Sequence, residues 1–360
     1  VKHVADRTPA HQWFRAPEQI YFNLHALENL RDLDARGVLI ITSQDLDALG
    51  LVDTVRAYLP AHTPCHVFDE VEVEPTFAVV TRGVEQVRRQ HPDHLIALGG
   101  GSVLDAAKAM RLFVEHPELD FHRLETTFLD PRKRVVRYPH DREHALRLIA
   151  VPTTSGTGSE VTPYAVISDP DSGRKVPLYD HSLTPDMAIL DPQLVVGLPP
   201  AVTADTGIDA LTHALEAIVS VFASDYTDAL AMESGRSVFE HLPKACENGS
   251  DLDARTRLHN AACMAGLAFA NAFVGVNHAL AHSLGAAFKV PHGRANAVFL
   301  PHTIRYNAAV PSKFMPFPNV RAYVAHEKYA RFARSMGWTE STTDALVERL
   351  VHEVWGRLEH

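Results

Sequence analysis

The chain has 360 residues, of which 46% are hydrophobic and 22% are charged, enough apolar material for two domains or one large α/β unit. Its formal net charge of −10 argues against nucleic-acid or anionic-membrane partners, which favour a basic face. Three scattered cysteines fit neither a disulfide framework nor a CxxC metal site, and no apolar leader precedes the first strand-like segment. We therefore expect a cytoplasmic protein.

Strand-like and helix-like patterns alternate in the first half of the chain. The predicted strands are 37–43, 66–68, 94–101, 146–154 and 187–191. Amphipathic helical patterns lie between them at 47–59 and 78–90, which is typical of βαβ units in a parallel sheet. The segments 164–168 and 174–179 flank the turn sequence DPDSG, which predicts a hairpin.

After Pro200 the patterns are helical. The predicted helices are 202–222, 226–241, 253–271, 275–288, 322–335 and 342–358. We therefore predict an α/β N-terminal domain with a Rossmann-like parallel sheet over residues 1–197, and an all-α C-terminal domain over residues 198–360. Such an arrangement leaves a cleft between the domains, where small-molecule sites usually lie.

Two loops have the composition of anion sites. The segment LIALGGGSVLDAAKAM (95–110) is predicted as strand, glycine loop and helix, with Ser102 as the N-cap and Asp105 completing a capping-box-like pattern. Its free helix N-terminus suits a phosphate, although the spacing matches neither GxGxxG nor GxxxxGK[ST] and a plain tight turn is the alternative. The segment VPTTSGTGSEVT (151–162) also follows a strand. Together the two loops predict a dinucleotide site at the carboxyl edge of the sheet.

Carboxylate and imidazole side chains cluster in the helical half. Asp209 and His213 are four residues apart, as are His278 and His282, so each pair shares a helix face; His292 follows a proline in a predicted loop. With 22 histidines in the chain, chance pairs are the alternative. The surrounding sequence is rich in Ala and Gly and almost uncharged, however, so these groups are expected to be buried, where a shared Fe²⁺ or Zn²⁺ would satisfy them.

Four stretches taken together resemble the iron-containing (group III) alcohol dehydrogenases. These are GGGSVLDAAKAM, PTTSGTGSEVTPYAVIS, GIDALTHA and NHALAHSLGAAFKVPHGRANA. The likeness is strongest to the alcohol dehydrogenase half of bifunctional aldehyde–alcohol dehydrogenases, whose start the opening KHVADR…IYF resembles. It implies a dehydroquinate-synthase-like nucleotide domain followed by a helical domain. It also implies a preceding aldehyde dehydrogenase domain and further C-terminal helical sequence, so we expect the chain to be part of a longer protein that assembles into homo-oligomers or filaments.

The resemblance assigns site residues at matching positions. It implies metal coordination by Asp209, His213, His278 and His292. It places His282 near substrate and nicotinamide as a proton relay or positioning residue, and Phe269 in an aromatic wall of the substrate pocket. The implied cofactor-binding residues are Gly99, Gly100, Gly101, Ser102 and Asp105 in the first loop, Thr153, Thr154 and Thr157 in the second, and Lys175.

One position departs from the family pattern. After the first long strand the family commonly carries Asp, whose carboxylate binds the adenosine ribose, whereas this chain has Ser43. Without that carboxylate a 2′-phosphate is no longer repelled. We expect NAD as the cofactor, with NADP as the alternative.

The function implied is reversible NAD(H)-linked reduction of acetaldehyde or another short aldehyde to its primary alcohol, with the metal as a Lewis acid. A related NAD- and metal-dependent lyase or polyol dehydrogenase of the same fold is a second hypothesis. A lyase of that kind would need several cations near the ligands for its polyanionic substrate, where the chain offers only Lys289 and Arg294. A catalytically silent assembly module is a third hypothesis, but such a copy should have lost metal ligands.

Overall fold

A six-stranded parallel sheet organises the N-terminal half of the protein. The computed structural model describes residues 13–119, 145–169, 174–309 and 324–358. The sheet consists of β1 (Gln19–Phe22), β2 (Val38–Ile41), β3 (Cys65–Phe68), β4 (His94–Gly99), β5 (Arg147–Pro152) and β8 (Met187–Leu190). Its strand order is β1-β8-β5-β4-β2-β3, and every neighbouring pair is parallel. All five predicted strands are present in this sheet, and β1 was not predicted.

The central strands are buried on both faces. All four residues of β2 are buried, as are five of the six in β4 and in β5. Two separate hydrophobic clusters cover the sheet, one containing Leu39 and Leu95 and the other containing Ile40 and Ile96. Side chains alternate between faces along a strand, so a sheet covered on both sides requires an uninterrupted apolar sequence.

Four helices in the described ranges connect or cover the strands of this half. They are α1 (Gln44–Ala48), α2 (Leu51–Arg56), α3 (Phe77–Gln90) and α4 (Gly101–Glu115). The single helix predicted over 47–59 is wrong, because Gly50 adopts φ +77° and separates α1 from α2. That left-handed conformation cannot continue a right-handed helix.

The predicted hairpin is present. Strands β6 (Tyr164–Asp169) and β7 (Arg174–Tyr179) pair antiparallel, with Tyr164 opposite Tyr179. Apolar residues from both strands, including Ile167 and Val176, join the hydrophobic cluster on the α4 side of the sheet. The hairpin therefore packs over α4 at the edge where the two predicted anion loops lie.

From residue 200 onward the described elements are all helices. They are α5 (Pro200–Val219), α6 (Asp225–Glu247), α7 (Leu252–Ala272), α8 (Val276–Phe288), α9 (His292–Ala308), α10 (Ala325–Ser335) and α11 (Thr343–Leu358). Helix α9 was missed, because Pro291 precedes it and Pro301 lies inside it. The first residues of the helix predicted over 322–335 fall outside the described ranges. The fold class, a parallel α/β half followed by a helical half, is confirmed.

No single helix in the described ranges is long and apolar enough to cross a membrane. Helices α7 and α8 meet the length and apolarity needed for a span only as a pair, and that pair is bent by 106°.

The second loop contains a buried carboxyl group, that of Glu160. Glu160 is 2% exposed, and its burial raises the pKa to about 7, even though its backbone amide and the nearby Lys108 favour the charged form. Lys108 is also buried and donates hydrogen bonds to Ser159 Oγ (2.8 Å), Thr162 Oγ1 (3.1 Å) and the Tyr164 carbonyl oxygen (2.7 Å). The ammonium group is therefore satisfied mainly by neutral oxygens.

We predict that Glu160→Gln reduces the pH dependence of stability. A raised native pKa means that the folded state binds the proton more tightly, so wild-type stability falls as pH rises from about 4.5 through 7. A shift of this size corresponds to about 3 kcal/mol. Gln is neutral throughout, so the loss of Tm between pH 5 and pH 8 should be smaller in the variant. Glu85→Gln, at an exposed position on α3, is the control; parallel Tm–pH curves for wild type and Glu160→Gln would contradict the prediction.

Candidate active site

Helix α5 carries the first two predicted metal ligands into the interior of the helical half. Asp209 is 3% exposed and His213 is 5% exposed. Their four-residue spacing places both on one face of α5, with His213 Nε2 4.0 Å from Asp209 Oδ1. Ala210, Leu211 and Ala214 lie between and after them in the hydrophobic core, so α5 holds these two polar groups rigidly.

Two further histidines approach the same carboxylate oxygen. His278, in the first turn of α8, places Nε2 3.7 Å from Asp209 Oδ1, and His292 places Nε2 3.5 Å from it. One ligand atom from each of Asp209, His278 and His292 lies within 4.8 Å of the others; the fourth predicted ligand, His213, is close to Asp209 but is not a member of this compact group. The prediction that His292 lies in a loop is wrong: it is the first residue of α9, with Pro291 as the N-cap. Proline at this boundary leaves no unsatisfied amide and fixes the helix entry.

Ring stacking fixes His213. Its ring lies 4.2 Å from that of Phe269 and 4.5 Å from that of His278, both nearly parallel to it. Phe269 lies on α7 and is itself 6.2 Å from the Tyr164 ring of β6. The predicted substrate-wall residue therefore packs directly against a predicted ligand.

The donor set fits a transition metal. One carboxylate oxygen and three imidazoles are ligands that Fe²⁺ and Zn²⁺ accept. Burial alone would raise the pKa of Asp209, but its interactions with the neighbouring histidines, including the His278 hydrogen bond, outweigh burial and hold the pKa well below its usual range. Burial lowers the pKa of His213 to about 3 and also lowers that of His292. Asp209 is thus ionised and these two imidazoles are neutral, as metal ligands must be. Burial lowers the pKa of His278 too, but its hydrogen bonds to Asp209 and Glu216 outweigh burial and raise the pKa to about 9, so His278 must give up a proton to a metal.

His282 lies one turn after His278 on α8. Its ring centroid is 5.1 Å from that of His292 and 6.1 Å from that of His278, and the side chain is exposed. The structure therefore places His282 beside the cluster on its open side, and the expectation that this side chain is buried is wrong.

Three polar residues around this cluster were not identified from the sequence. Glu216 Oε2 lies 2.5 Å from His278 Nδ1, and Asn296 Nδ2 donates to Asp209 Oδ1 at 2.7 Å. Asn277 Nδ2 donates to Asn296 Oδ1 at 2.9 Å. Glu216 carried a readable signal, because it lies seven residues after Asp209 on the same face of an otherwise apolar helix.

The two predicted anion loops lie side by side at the carboxyl edge of the sheet. Strands β4 and β5 are neighbours with Gly99 opposite Pro152, and the Thr153 amide donates to the Gly99 carbonyl oxygen at 3.0 Å. A Cβ at Gly101 would approach Thr157 Cγ2 to 2.9 Å, and one at Gly100 would approach Thr154 Cγ2 to 3.2 Å. Only glycine leaves space between these loops.

This edge also fits a dinucleotide. Thr154 Oγ1 is buried and has no hydrogen-bond partner in the part of the chain that the structure describes, so it is free to bind a cofactor oxygen. The amides at the start of α4 have no side-chain cap. The N-cap is Gly100 rather than the predicted Ser102, whose Oγ instead accepts from the Glu74 amide at 3.4 Å.

Asp105, a predicted cofactor-binding residue, makes structural contacts in this fold. Its Oδ1 accepts from Ser159 Oγ at 2.6 Å, and its Oδ2 accepts from the Val166 amide at 2.9 Å. Burial raises the pKa of the Asp105 carboxyl group, although the Lys108 charge and the hydrogen bonds that Asp105 accepts favour the charged form. The carboxylate thus anchors the second loop and β6 to α4.

The remaining predicted cofactor residues flank this edge. Ser43 follows β2, the neighbour of β4, and begins α1 without a side-chain capping bond. Lys175, on β7, pairs with Glu74 Oε1 at 2.7 Å. Burial is the main cause that lowers the pKa of His282 and of His292, and the positive charge of Lys175 adds to it.

Helix α7 connects the cofactor edge to the histidine cluster. Gly158, with φ +63°, packs against the backbone of Gly266, where an added Cβ would approach the Gly266 Cα to 2.5 Å. Phe269 lies one turn further along α7 and stacks on His213. One helix therefore sets the distance between the second loop and the predicted metal ligands.

Comparison with known proteins identifies the family. Residues 17–192 match the profile of "Iron-containing alcohol dehydrogenase", and residues 203–359 match that of "Fe-containing alcohol dehydrogenase family, C-terminal". The chain is 41% identical to 1-propanol dehydrogenase of Salmonella typhimurium over 95% of this chain and 83% of that protein. It therefore belongs to the iron-containing alcohol dehydrogenase family.

Other relatives are bifunctional enzymes. Aldehyde-alcohol dehydrogenase 2 of Entamoeba histolytica is 47% identical over 94% of this chain but only 39% of its own length. The chain thus spans about two fifths of the length of these curated relatives.

Solved structures of the family share the fold. A 1,3-propanediol oxidoreductase superposes with a TM-score of 0.83 at 33% identity, covering 96% of this chain and 86% of that one. A sulfoacetaldehyde reductase from Bifidobacterium kashiwanohense, solved in complex with NAD⁺, superposes with a TM-score of 0.80 at 26% identity, covering 97% and 86%.

We predict that Gly266→Ala lowers stability by about 1–3 kcal/mol, the usual cost of overpacking. Its Cβ would lie 2.8 Å from the Gly158 carbonyl oxygen and from Val161 Cγ2, so the second loop must move away from α7. Chemical denaturation measures the loss. Gly356→Ala is the matched control, since its Cβ meets nothing within 4 Å and alanine favours the α11 helix. Equal stability of the two variants would disprove close packing at Gly158.

Proposed function

We propose that this chain catalyses reversible hydride transfer between NAD(H) and a short primary alcohol or aldehyde, with a divalent metal held by Asp209, His213, His278 and His292. One observation carries the proposal: the carboxylate–histidine cluster lies beside a two-loop phosphate edge and is joined to it through α7. We assign residues 1–197 to dinucleotide binding and residues 198–360 to metal and substrate binding.

When bound, the metal supplies Lewis-acid chemistry that lowers the pKa of an alcohol hydroxyl and polarises an aldehyde oxygen. The family description supports Fe²⁺, and Zn²⁺ suits the same donors. The chain fixes the direction from which these donors act, because Asp209 and His213 project from the buried face of α5 and His292 begins α9.

The proposed proton path uses His282. Its exposed ring on the open side of the cluster can exchange protons with solvent. The ring centroid lies 5.1 Å from that of His292. A neutral imidazole there can accept the proton that leaves an alcohol hydroxyl and return it during aldehyde reduction. Phe269 packs between Tyr164 and His213. Its apolar ring supplies the surface that excludes water on the side of the cluster opposite His282.

We propose a short aliphatic substrate, such as acetaldehyde and ethanol. The names of the relatives support this substrate class, since they include a 1-propanol dehydrogenase and aldehyde-alcohol dehydrogenases. The chain spans two fifths of the bifunctional relatives, which supports an adjoining aldehyde dehydrogenase domain and assembly into homo-oligomers or filaments in that longer protein.

The cofactor edge is proposed to bind NAD, with the pyrophosphate over Gly99–Ser102 and Thr153, Thr154 and Thr157 on its other side. The NAD⁺ complex of a family member supports this choice. Ser43 supplies no carboxylate to repel a 2′-phosphate, so NADP is expected as a weaker second cofactor.

His278→Ala should abolish turnover while the chain remains folded. Removing one imidazole from the ligand set weakens metal binding, and we expect at least a 10³-fold loss of ethanol-dependent NAD reduction. Circular dichroism and bound-metal analysis accompany the assay. His352→Ala, at an exposed position on α11, is the control and should retain wild-type activity. Unchanged activity of His278→Ala would disprove the metal assignment.

Metal stripping should remove activity, and anaerobic Fe²⁺ should restore more of it than Zn²⁺ if iron is the working metal. The assay compares ethanol-dependent reduction of NAD before and after each addition. A folded, metal-loaded chain that turns over neither ethanol nor 1-propanol would contradict the proposed substrate class.

Ser43→Asp should raise the ratio of NAD to NADP activity about tenfold or more. The new carboxylate can accept hydrogen bonds from the ribose 2′-hydroxyl and repel a 2′-phosphate. Ser43→Asn is the control, because Asn has nearly the same volume as Asp but carries no charge. It should shift the ratio of NAD to NADP activity much less. Equal effects of Asp and Asn would exclude an electrostatic cause.

A further inference from the structure

Glu216 is a buried carboxylate that contacts a predicted metal ligand from outside the ligand set. It lies on α5, is 3% exposed, and its Oε2 is 2.5 Å from His278 Nδ1. Its Oε1 accepts from the Asn277 amide at 2.7 Å. A Cβ at Gly275 would approach Oε1 to 2.8 Å, so the turn before α8 packs closely on this carboxylate.

These contacts determine which nitrogen of His278 faces the cluster. A carboxylate accepts a hydrogen bond, so Nδ1 must carry the proton that Glu216 binds. Nε2 points the other way, toward Asp209 Oδ1 at 3.7 Å and Asn296 Nδ2 at 3.2 Å. In metal sites a carboxylate behind a ligating imidazole fixes its tautomer and orientation and increases its basicity.

The rotation of α8 is fixed by a second set of hydrogen bonds. Asn277 Oδ1 accepts from Thr303 Oγ1 at 2.8 Å, while its Nδ2 donates to Asn296 Oδ1 at 2.9 Å. Both partners lie on α9, so the first turn of α8 is held between α5 and α9. His213 differs, because its Nδ1 is buried without a hydrogen-bond partner within the described ranges. Within the described ranges, His278 thus has a carboxylate behind its ring and His213 does not.

We propose that Glu216 is a positioning residue of the metal centre: it holds the His278 Nδ1 proton and thereby presents Nε2 to the metal. The inference rests on the proposed function, since it assumes that His278 is a ligand. Glu216 also accepts a hydrogen bond from the Asn277 amide, so a purely structural role at the start of α8 is the competing explanation. The test must separate these two roles.

The test measures Zn²⁺ affinity of the metal-stripped 360-residue chain by competition with a chromophoric chelator at constant pH. Glu216→Gln keeps the volume and one oxygen acceptor but loses the charge, whereas Glu216→Leu loses both. We expect the Zn²⁺ Kd to rise about 10-fold in Glu216→Gln and about 100-fold in Glu216→Leu. A Kd within twofold of wild type in both variants would overturn the proposal.

Asp228→Asn is the matched control for loss of a buried carboxylate. Asp228, on α6, accepts from Lys328 Nζ at 3.0 Å and from an Arg331 guanidinium nitrogen at 2.7 Å, and makes no contact with the histidine cluster. Its replacement should lower Tm without changing the Zn²⁺ Kd. If Asp228→Asn weakened Zn²⁺ binding as much as Glu216→Gln does, the Glu216 effect would be general destabilisation and the proposal would fail.

His278→Ala separates this inference from the proposed function. If it loses Zn²⁺ affinity while the Glu216 variants keep theirs, the metal centre stands and the role of Glu216 is disproved. If it binds Zn²⁺ as tightly as wild type, the metal assignment is wrong and this inference falls with it.

A spectroscopic measurement on the wild-type chain reports the tautomer of His278 directly. Nitrogen-15 NMR of histidine-labelled, Zn²⁺-loaded protein reports which ring nitrogen carries a proton, and the His278 signals are those lost in His278→Ala. We expect a protonated Nδ1 and a coordinated Nε2. The opposite tautomer, with Nδ1 on the metal, would overturn the proposal.

Discussion

The buried charge of Asp209 is the constraint on which the helical half depends. A carboxylate removed from water is costly unless it is paired and hydrogen-bonded. Here one oxygen of Asp209 receives the Asn296 amide at 2.7 Å and lies 3.5 Å from His292 Nε2 and 3.7 Å from His278 Nε2. These partners come from α8 and α9 and the carboxylate comes from α5, so the charge is satisfied only when three helices converge.

Close packing then transmits this arrangement to the cofactor edge. Helix α7 meets the second loop through Gly158 and Gly266 with no side chain between the two backbones. Phe269, on the same helix, stacks against His213. Because a close-packed contact leaves little freedom for adjustment, the spacing between the second loop and the histidine cluster is set by one rigid element rather than by a flexible linker.

The features that depend on the local pattern of apolar and small residues could be predicted from the sequence. The strands buried on both faces appear as continuous apolar runs, and the small residues around Asp209 and His278 indicated burial. Strand β1 (QIYF) lies at the sheet edge with partly exposed residues, so its pattern was too weak to identify. Ser102 and Asp105 matched a capping pattern, but α4 begins at Gly101 and Asp105 binds Ser159, 54 residues away in sequence. Glu216 likewise finds its partner 62 residues away, which no local rule specifies.

The histidines around Asp209 are held in physically different ways, and this suggests different duties. His278 is oriented by the hydrogen bond that its Nδ1–H donates to the Glu216 carboxylate, and His213 is held by flat stacking between Phe269 and His278. His282 has ring contacts with its neighbours but no hydrogen bond within the described ranges, and its side chain is exposed. A ligand must present one nitrogen in one direction, whereas a proton relay must turn and exchange protons with solvent. The more tightly held rings therefore suit metal coordination, and the ring left free to turn suits proton transfer.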